Sequence, residues 1–475
     1  MRPEWMISLG VAGLLAGCPG PGTGGTGKGS GTHPPIDPAD PKIELPNIPS
    51  KVEITSSSPT DANAPDARSP ILDILKTENE REMALLSKQK DPAYYLSYHL
   101  IEERSVSLDA EGGALISDSD ETTRNLDIDI RVGSPELDNT RDLADAQDAL
   151  NDPLVRRGVV PFGEDKTAIS NALWIETDRR YHEAVSELTY VRQDQATLKA
   201  KQTAPDFSHA PAEVHSEKFA KLVFDKQQWI DRLKRCSAKA LKGQATRGTC
   251  GVLFQQNTVW LVNSEGTQIQ QSWTNVQLSV SVGVKADDGM NLSRLEQAFG
   301  SQPADLPPDS EVDKMLATVT GDLDALHAAP LAEPYVGPAI LEGRAAGVFF
   351  HEVFGHRIEG HRQKQISEGQ TFASFVNKEI APEWLSVYDD PQILTLNGKQ
   401  LNGFYRYDDE GVRASHVHLI DNGKLVGFEM GRNPIKGFPA SNGHGRFSAG
   451  RPPSGRLPCV SSRRHYLQAI AGRIS

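Results

Sequence analysis

Residues 351–361 read HEVFGHRIEGH and concentrate side chains that bind metal ions and transfer protons. A zinc peptidase needs imidazoles to hold the ion, a carboxylate to take a proton from water, and an open coordination position. His351 and His356 provide the imidazoles, and Glu352 stands beside the first as the general base does in His-Glu-x-x-His metalloproteases. The motif therefore predicts a zinc-dependent peptidase site with two histidine ligands and Glu352 as base.

The spacing of the two histidines differs from that of the common motif, in which they lie four positions apart on one helical face. His351 and His356 lie five positions apart. Five steps turn roughly 140° around a regular α-helix, so the two imidazoles would diverge. Convergence on one ion therefore requires a distorted helix near Val353 to Gly355, most simply a π-bulge, and Gly355 permits such an irregularity.

A buried polar patch without a metal is the alternative explanation of the same residues, because they follow the apolar run Val348-Phe349-Phe350. Burial of two imidazoles and a carboxylate without partners costs free energy, whereas a metal ion satisfies all three groups. We therefore prefer the metal site.

The chain before the motif mixes helical and strand patterns. Apolar residues recur at helical spacing from Ile71 to Lys88 and within residues 177–201. Alternating or β-branched runs predict strands at three places: 126–132, 259–262 and 276–284. These patterns predict an N-terminal α+β domain at 71–300, followed by a connecting segment at 301–332.

From residue 333 onward the pattern predicts a second domain, at 333–446, with a helix laid against a largely antiparallel sheet. Residues 341–357 form the predicted helix that carries the motif. Asp421-Asn422-Gly423 is typical of a hairpin turn. The strand signals lie at 392–396, 403–407, 415–420 and 425–428. The expected fold class is therefore α+β in two domains.

Five short motifs now occur in a fixed order along the chain: GRAAG at 343–347, HEVFGH at 351–356, EG at 359–360, DDEGV at 408–412 and NGHGR at 442–446. This ordered set resembles the TldD/PmbA family of metallopeptidases, formerly described as modulators of DNA gyrase. The resemblance covers roughly residues 75 to 446. It implies zinc held by His351 and His356, with Glu352 as base. It also implies a two-domain fold around a cavity that admits peptides or unfolded segments, in a homodimer or a heterodimer of related subunits.

The family takes its third zinc ligand from a cysteine downstream of the NGHGR position, but residues 447–475 are rich in Arg, Ser and Pro and lose the pattern. We therefore expect a truncated C-terminal domain with an aberrant tail.

Further side chains are candidates for a third ligand or its support: Cys459, Glu359, His361, His416, His418 and His444. Cys459 is a soft ligand that lies among prolines without a strand pattern. Glu359 is favoured as a residue that orients a ligating histidine. His361 is interpreted as a solvated helix-end histidine, and the alternating pair at 416 and 418 as a polar strand face. His444 lies in a Gly-rich loop that could approach a substrate backbone.

The N-terminus resembles a bacterial lipoprotein leader. Residues 6–16 are apolar and end in Leu15-Ala16-Gly17-Cys18, which resembles a lipobox with Cys18 as the lipid-modified residue. Residues 19–70 are rich in Gly, Pro, Ser and Thr and predict a disordered linker. We expect a signal peptide at 1–18 and a lipid-anchored protein of the cell envelope. A plain signal peptide, or the cytoplasmic location of the best-known family members, is the alternative.

Composition argues against nucleic-acid binding and leaves open whether Cys236 and Cys250 form a disulfide. The formal net charge of -13 gives nucleic-acid binding no electrostatic support. Cys236 and Cys250 lie in one segment and are expected either to form a disulfide, if the protein is exported, or to remain free thiols.

Two other functions fit parts of the sequence. A His-Glu-x-x-x-His peptidase resembling dipeptidyl peptidase III would have the same motif, but the paired-Glu motif of that family is not evident. A surface lipoprotein that keeps the fold without a complete metal site would explain the missing third ligand.

Overall fold

The computed structural model describes residues 53–57, 62–141, 158–197, 204–337, 339, 341, 343–364, 370–401 and 403–446. The side chains of residues 343 and 344 are not described. The expected leader with Cys18, most of the expected linker, and the tail with Cys459 lie outside these residues. Within them, no helix combines the length and the apolar character needed to cross a bilayer.

Runs of consecutive strands are separated by helices along the chain, and the predicted α+β class is confirmed. The helices are α1 Pro70–Leu86, α2 Lys166–Thr197, α3 Lys226–Ala240, α4 Asp309–Ala328, α5 Gly343–Phe350 and α6 His356–Ile358. The strands are β1 Ile54–Ser56, β2 Ala93–Glu111, β3 Ala114–Ser134, β4 Leu137–Asp138, β5 Gly158–Val159, β6 Val214–Ser216, β7 Arg247–Asn263, β8 Gln268–Lys285, β9 Asn291–Gly300, β10 Val387–Asp389, β11 Ile393–Leu396, β12 Lys399–Gln400, β13 Val417–Asp421 and β14 Lys424–Leu425.

A large sheet dominates the first part of the structure, with strand order β4-β3-β2-β7-β8-β6, β5 beside β3 and β9 beside β8. Neighbouring strands are antiparallel except β6 and β8, which are parallel. Tyr98 stands opposite both Ile128 and Val262, so the apolar residues of three strands share one face. Helices α1 and α2 cover one end of this face, and α3 and α4 cover the other.

The opposite face of the large sheet carries polar side chains although much of it is buried. Ser97, Asp129, Arg131 and Asn263 are all less than a tenth exposed. Because side chains alternate along a strand, these residues point away from the helical layer. Buried charge on this face requires partners, and Arg131 pairs with both Asp129 and Asp138.

The motif unit, residues 343–364, 370–401 and 403–446, contains the antiparallel sheet β10-β13-β14 and the strand pair β11-β12. Strand β1, from the N-terminal part of the chain, adds to β11 and completes a second three-stranded antiparallel sheet. A separate apolar core joins Phe354 and Ile358 to Val387, Leu419 and Ile420. This agrees with the predicted helix against a sheet. The predicted strand at 403–407 is wrong, since the backbone N–H of Tyr407 donates to the side chain of Gln271 on the large sheet (3.1 Å) instead of extending a ladder.

The expected linker at 19–70 is also wrong at its C-terminal end. Strand β1 pairs with β11, with Thr55 opposite Thr395. Ser69 is buried, and its hydroxyl accepts a hydrogen bond from the indole N–H of Trp260 at 2.8 Å. Strand pairing and a buried polar contact therefore order residues whose composition alone suggested a tether.

Candidate metal centre

The helix that carries the motif changes its winding at the first histidine. Helix α5 ends at Phe350, residues His351–Gly355 form a π-helical turn, and α6 follows. The backbone N–H of His356 donates to the carbonyl of His351, the bond across five residues that defines a π-turn. The predicted distortion is confirmed at the predicted place.

Gly355 has a different role from the one expected. Its φ of -53° is ordinary right-handed helix, so the backbone does not need a glycine here. A Cβ at this position would lie 3.5 Å from Nδ1 of His351, an ordinary contact. Gly355 therefore leaves space beside the His351 ring.

The π-turn brings the two imidazoles together. The ring centroids of His351 and His356 lie 4.4 Å apart at an interplanar angle of 68°. Among the described residues, one group of metal-binding side chains has all its donor atoms within 4.8 Å of one another, and it consists of His351, Glu352 and His356. Both histidines are half-buried and Glu352 is exposed, so the group faces solvent on one side.

Glu359 fixes the orientation of the second histidine. Its Oε1 lies 2.9 Å from Nδ1 of His356, and its Oε2 accepts from Nε of Arg362 at 2.7 Å. This hydrogen bond raises the pKa of His356 above its usual value. Burial opposes ionisation of Glu359, but the hydrogen bond from His356 and the charges of His361 and Arg362 lower the pKa of its carboxyl. The sequence-based interpretation of Glu359 as an orienting residue agrees with this geometry.

The two imidazoles differ in their electrostatic surroundings. Burial, and then the charge of the neighbouring His356, lower the pKa of His351, the reverse of the shift at His356. The difference follows from the carboxylate, since Glu359 contacts one ring directly.

The expectation of a solvated His361 is wrong. The residue is 4% exposed, and burial lowers the pKa of its imidazole to about 4. The N–H of the preceding Gly360 donates to the carbonyl of Glu429 at 2.9 Å, and a Cβ on Gly360 would lie 2.3 Å from the sulfur of Met430. This close approach draws His361 into the core, and no local sequence signal could have indicated it.

The other candidate ligands do not join the group. His416 and His418 are exposed and contact each other on one face of β13, as predicted for a polar strand face. His444 is buried, and its Nδ1 lies 3.0 Å from Oδ1 of Asn442. Cys459 lies outside the described residues.

The two downstream motifs bind each other. Oδ1 of Asp408 accepts from the N–H of Val412 at 2.8 Å, and Oδ2 accepts from the N–H of Gly445 at 2.8 Å. Gly443 has a φ of +79°, and a Cβ there would lie 2.1 Å from the carbonyl oxygen of Arg413. Residues 408–412 and 442–446 are therefore structural partners that hold two loops of the motif unit together.

Sequence reasoning missed Arg432, which joins the motif unit to the large sheet. It is fully buried, its Nη2 donates to the carbonyl of Ser208 at 2.7 Å, and it forms an ion pair with Glu265 at 2.5 Å. The guanidinium carbons of Arg432 and Arg131 each lie 4.0 Å from the ring centre of Phe207.

The cysteines that the sequence left open form a disulfide between Cys236 on α3 and Cys250 on β7. Both residues lie in the core between the helical layer and the large sheet.

Comparison with known proteins agrees with this architecture. The model of the PmbA/TldA metallopeptidase C-terminal domain matches residues 335–466, and that of the central domain matches residues 223–316. A metalloprotease of Synechocystis is 26% identical over 174 residues, which is 36% of this chain and 35% of that protein. A zinc metalloprotease TldD homolog of Saccharolobus solfataricus is 27% identical over 193 residues, 40% of this chain and 38% of that protein.

A solved structure from Thermotoga maritima, described as a candidate modulator of a DNA gyrase, shares the fold. Its TM-score is 0.51 at 15% sequence identity, over 80% of this chain and 76% of that chain. The curated relatives are matched over little more than a third of their own length.

The π-helical His-Glu-x-x-x-His turn, packed against a small antiparallel sheet, lies within the segment that matches the model of a metallopeptidase C-terminal domain. More narrowly, the two matched domain models are those of the PmbA/TldD family, and one of the relatives is named as a TldD homolog. The resemblance to dipeptidyl peptidase III is therefore set aside.

Proposed function

We propose that the chain is a zinc-dependent peptidase that hydrolyses peptide bonds in peptides or unfolded segments. The observation that carries this proposal is the π-turn, which holds the His351 and His356 rings 4.4 Å apart. Without it, a five-residue spacing would separate the two imidazoles. The matched family model and the relatives named metalloproteases give independent support.

The donor set fits zinc. Nδ1 of His356 is bonded to Glu359, which leaves Nε2 as the donor atom, the arrangement common to zinc-binding histidines. His351 supplies the second imidazole. A bound zinc ion supplies Lewis-acid activation of water and of the substrate carbonyl group.

Glu352 is suited to the proton transfers. Its side chain is 62% exposed, and Oε2 lies 3.8 Å from Nε2 of His356, so the carboxylate borders the group without being buried in it. An exposed carboxylate at this place can accept a proton from the attacking water and deliver it to the leaving amine.

Substitution of Glu352 tests the assignment. Glu352→Gln should keep zinc and lose hydrolysis of an unfolded protein substrate, because the amide keeps the shape and removes the base. His356→Ala should lose both. Glu383→Gln, at another exposed glutamate of the motif unit, is the matched control and should change neither. Stoichiometric zinc that survives His351→Ala would contradict the site.

A catalytically incomplete protein is the second candidate function. One observation favours it: the group within the described residues contains two imidazoles and one exposed carboxylate, without a third imidazole or thiolate. Such a protein would purify without zinc and would not gain hydrolytic activity when zinc is added. Zinc content and activity measured on one preparation distinguish the two candidates.

We also propose an envelope location with a lipid anchor at Cys18. The Cys236–Cys250 disulfide supports this, since disulfides persist mainly in oxidising compartments. Expressed in a bacterium, the protein should partition with membranes, and Cys18→Ser should release it. A wild-type protein found wholly in the cytoplasm would favour the alternative.

For partners, we propose a homodimer or a heterodimer with a related subunit. Val336 is 92% exposed and Leu331 is 80% exposed just before the motif helix, and Phe349 on that helix is 39% exposed. Several strongly exposed apolar side chains in one stretch of the chain suit a surface that another subunit covers. Light scattering that gives the mass of a monomer, alone and with a related subunit, would contradict this.

A further inference from the structure

A second pair of histidines lies on the solvent side of the β10-β13-β14 sheet. His416 immediately precedes β13 and His418 is its second residue, so the two side chains share one face of the strand. Their ring centroids lie 4.9 Å apart, and both residues are exposed. Two imidazoles at this separation need only side-chain rotation to bind one cation.

The neighbouring strand and the residue that follows it contribute an aromatic ring and a carboxylate at the same place. Tyr388 of β10 stands opposite His418 in the strand register, and its ring centre lies 4.7 Å from that of His416. Oδ2 of Asp390 lies 3.3 Å from Nδ1 of His416. A carboxylate on Nδ1 fixes the tautomer and leaves Nε2 as the donor atom, the same pairing that Glu359 makes with His356.

The alternative is a polar surface ladder that binds nothing. Stacking on Tyr388 explains why the two histidine rings lie where they do. It does not explain why a carboxylate also contacts one of the two imidazoles. The combination of two nitrogen donors with a carboxylate suits late first-row divalent cations.

We propose that His416 and His418, supported by Asp390, form a second divalent-cation site whose order of affinity places Cu²⁺ first. An ion held here links β13 to the end of β10. Val387, Leu419 and Ile420 of the same two strands face inward and pack with Phe354 of the π-turn. Cation binding on the outer face would therefore stabilise the sheet that supports the motif helix. This site is independent of the proposed peptidase activity.

Titration of the full chain with Cu²⁺ tests the proposal. After metal removal, the wild type should bind two equivalents, His416→Ala/His418→Ala one, and His351→Ala one. His182→Ala is the matched control, since this exposed histidine has a carboxylate 3.7 Å away but lies on α2, and it should leave both equivalents in place. Asp390→Asn should weaken the second equivalent by about 10–100-fold.

Each departure from this pattern has a defined meaning. A second equivalent that persists in His416→Ala/His418→Ala, or a wild type that binds none outside the first site, would overturn the proposal. If the double alanine variant fails to fold, His416→Gln/His418→Gln keeps polar side chains of similar size and answers the same question. A wild type that binds one equivalent, which is kept in His351→Ala and lost in His416→Ala/His418→Ala, would count against the peptidase site and leave this one standing.

A second measurement reports on the sheet. Cu²⁺ should raise the melting temperature of His351→Ala, because a ligand bound to the native state stabilises it. The same rise should be absent when His416 and His418 are also replaced. An equal rise in both proteins would contradict the site.

Discussion

Nδ1 of His356 lies 2.9 Å from Oε1 of Glu359, three residues further along the chain. This contact decides which imidazole nitrogen points toward the His351–Glu352 side of the turn. It also links the candidate centre to Arg362 through the second carboxylate oxygen. The orientation of a ligand therefore depends on a residue that does not itself join the metal-binding group.

Replacement of this carboxylate should weaken zinc binding without removing it. Glu359→Gln keeps the size of the side chain but loses the charge that raises the pKa of His356. We expect zinc affinity to fall by about 10–100-fold, measured by competition with a chromophoric chelator. Glu383→Gln should bind zinc as the wild type does. Equal affinity in both variants would show that the hydrogen bond does not orient the ligand.

The burial of His361 predicts a stability change at mildly acidic pH. In the unfolded chain its pKa is about 6.5, whereas burial lowers it to about 4 in the native protein. Between these values the unfolded state binds more protons, so the free energy of unfolding falls as the pH is lowered from about 6.5 toward 4.

His361→Gln cannot titrate and should show a shallower fall over that range. Urea unfolding of the metal-free proteins at pH 7 and pH 5 measures the difference. Parallel behaviour of variant and wild type would mean that His361 is protonated in the native state.

A comparison of alanine substitutions at Gly443 and Gly398 distinguishes the cost of a left-handed backbone from the cost of a steric clash. Their φ angles are +79° and +70°, so an alanine at either position costs about 1–2 kcal/mol from the left-handed backbone alone. At Gly398 no atom lies within 4 Å of an added Cβ, whereas at Gly443 the carbonyl oxygen of Arg413 lies 2.1 Å away.

Gly443→Ala should therefore destabilise the chain clearly more than Gly398→Ala in urea unfolding. Because the clash displaces the loop at 442–446, Gly443→Ala should also disturb the contact with Asp408. Equal destabilisation in the two variants would contradict the close packing described for these loops.

Loss of the buried Arg432 should lower the free energy of unfolding far more than loss of an exposed arginine that makes a similar connection. Arg432→Met removes the buried guanidinium that pairs with Glu265, which then keeps only its contact with His209 among the described residues, and should cost about 3–5 kcal/mol. Arg413 also joins the motif unit to the first part of the chain, through Glu213 at 2.8 Å, but its side chain is 45% exposed. Arg413→Met should cost less than about 1 kcal/mol. Similar losses in chemical denaturation would refute the assignment of Arg432 as the main connection.

The sequence predicted the π-turn because the rule that determines it is local: two ligands five positions apart cannot converge on a regular helix. The amphipathic helix α1 was likewise predicted close to its observed bounds, since its periodicity is contained in a short window.

Features that depend on distant residues were missed. His361 is buried because Gly360 packs against Met430, and residues 403–407 are not a strand because Gln271 of the large sheet binds Tyr407. Composition also failed at Ile54–Ser56, where the pairing partner is β11. No window of local sequence contains these partners.

The pairing of β1 with β11 determines where the N-terminal end of the described chain emerges. The N–H of Glu53 donates to Oδ1 of Asn397, and the backbone N–H of Asn397 donates to the carbonyl of Glu53. The described part of the chain thus begins beside β11 of the motif unit, forms the large sheet, and then returns to form the rest of that unit. An attachment through the N-terminus would therefore join the molecule on the side of the unit that contains the metal-binding group.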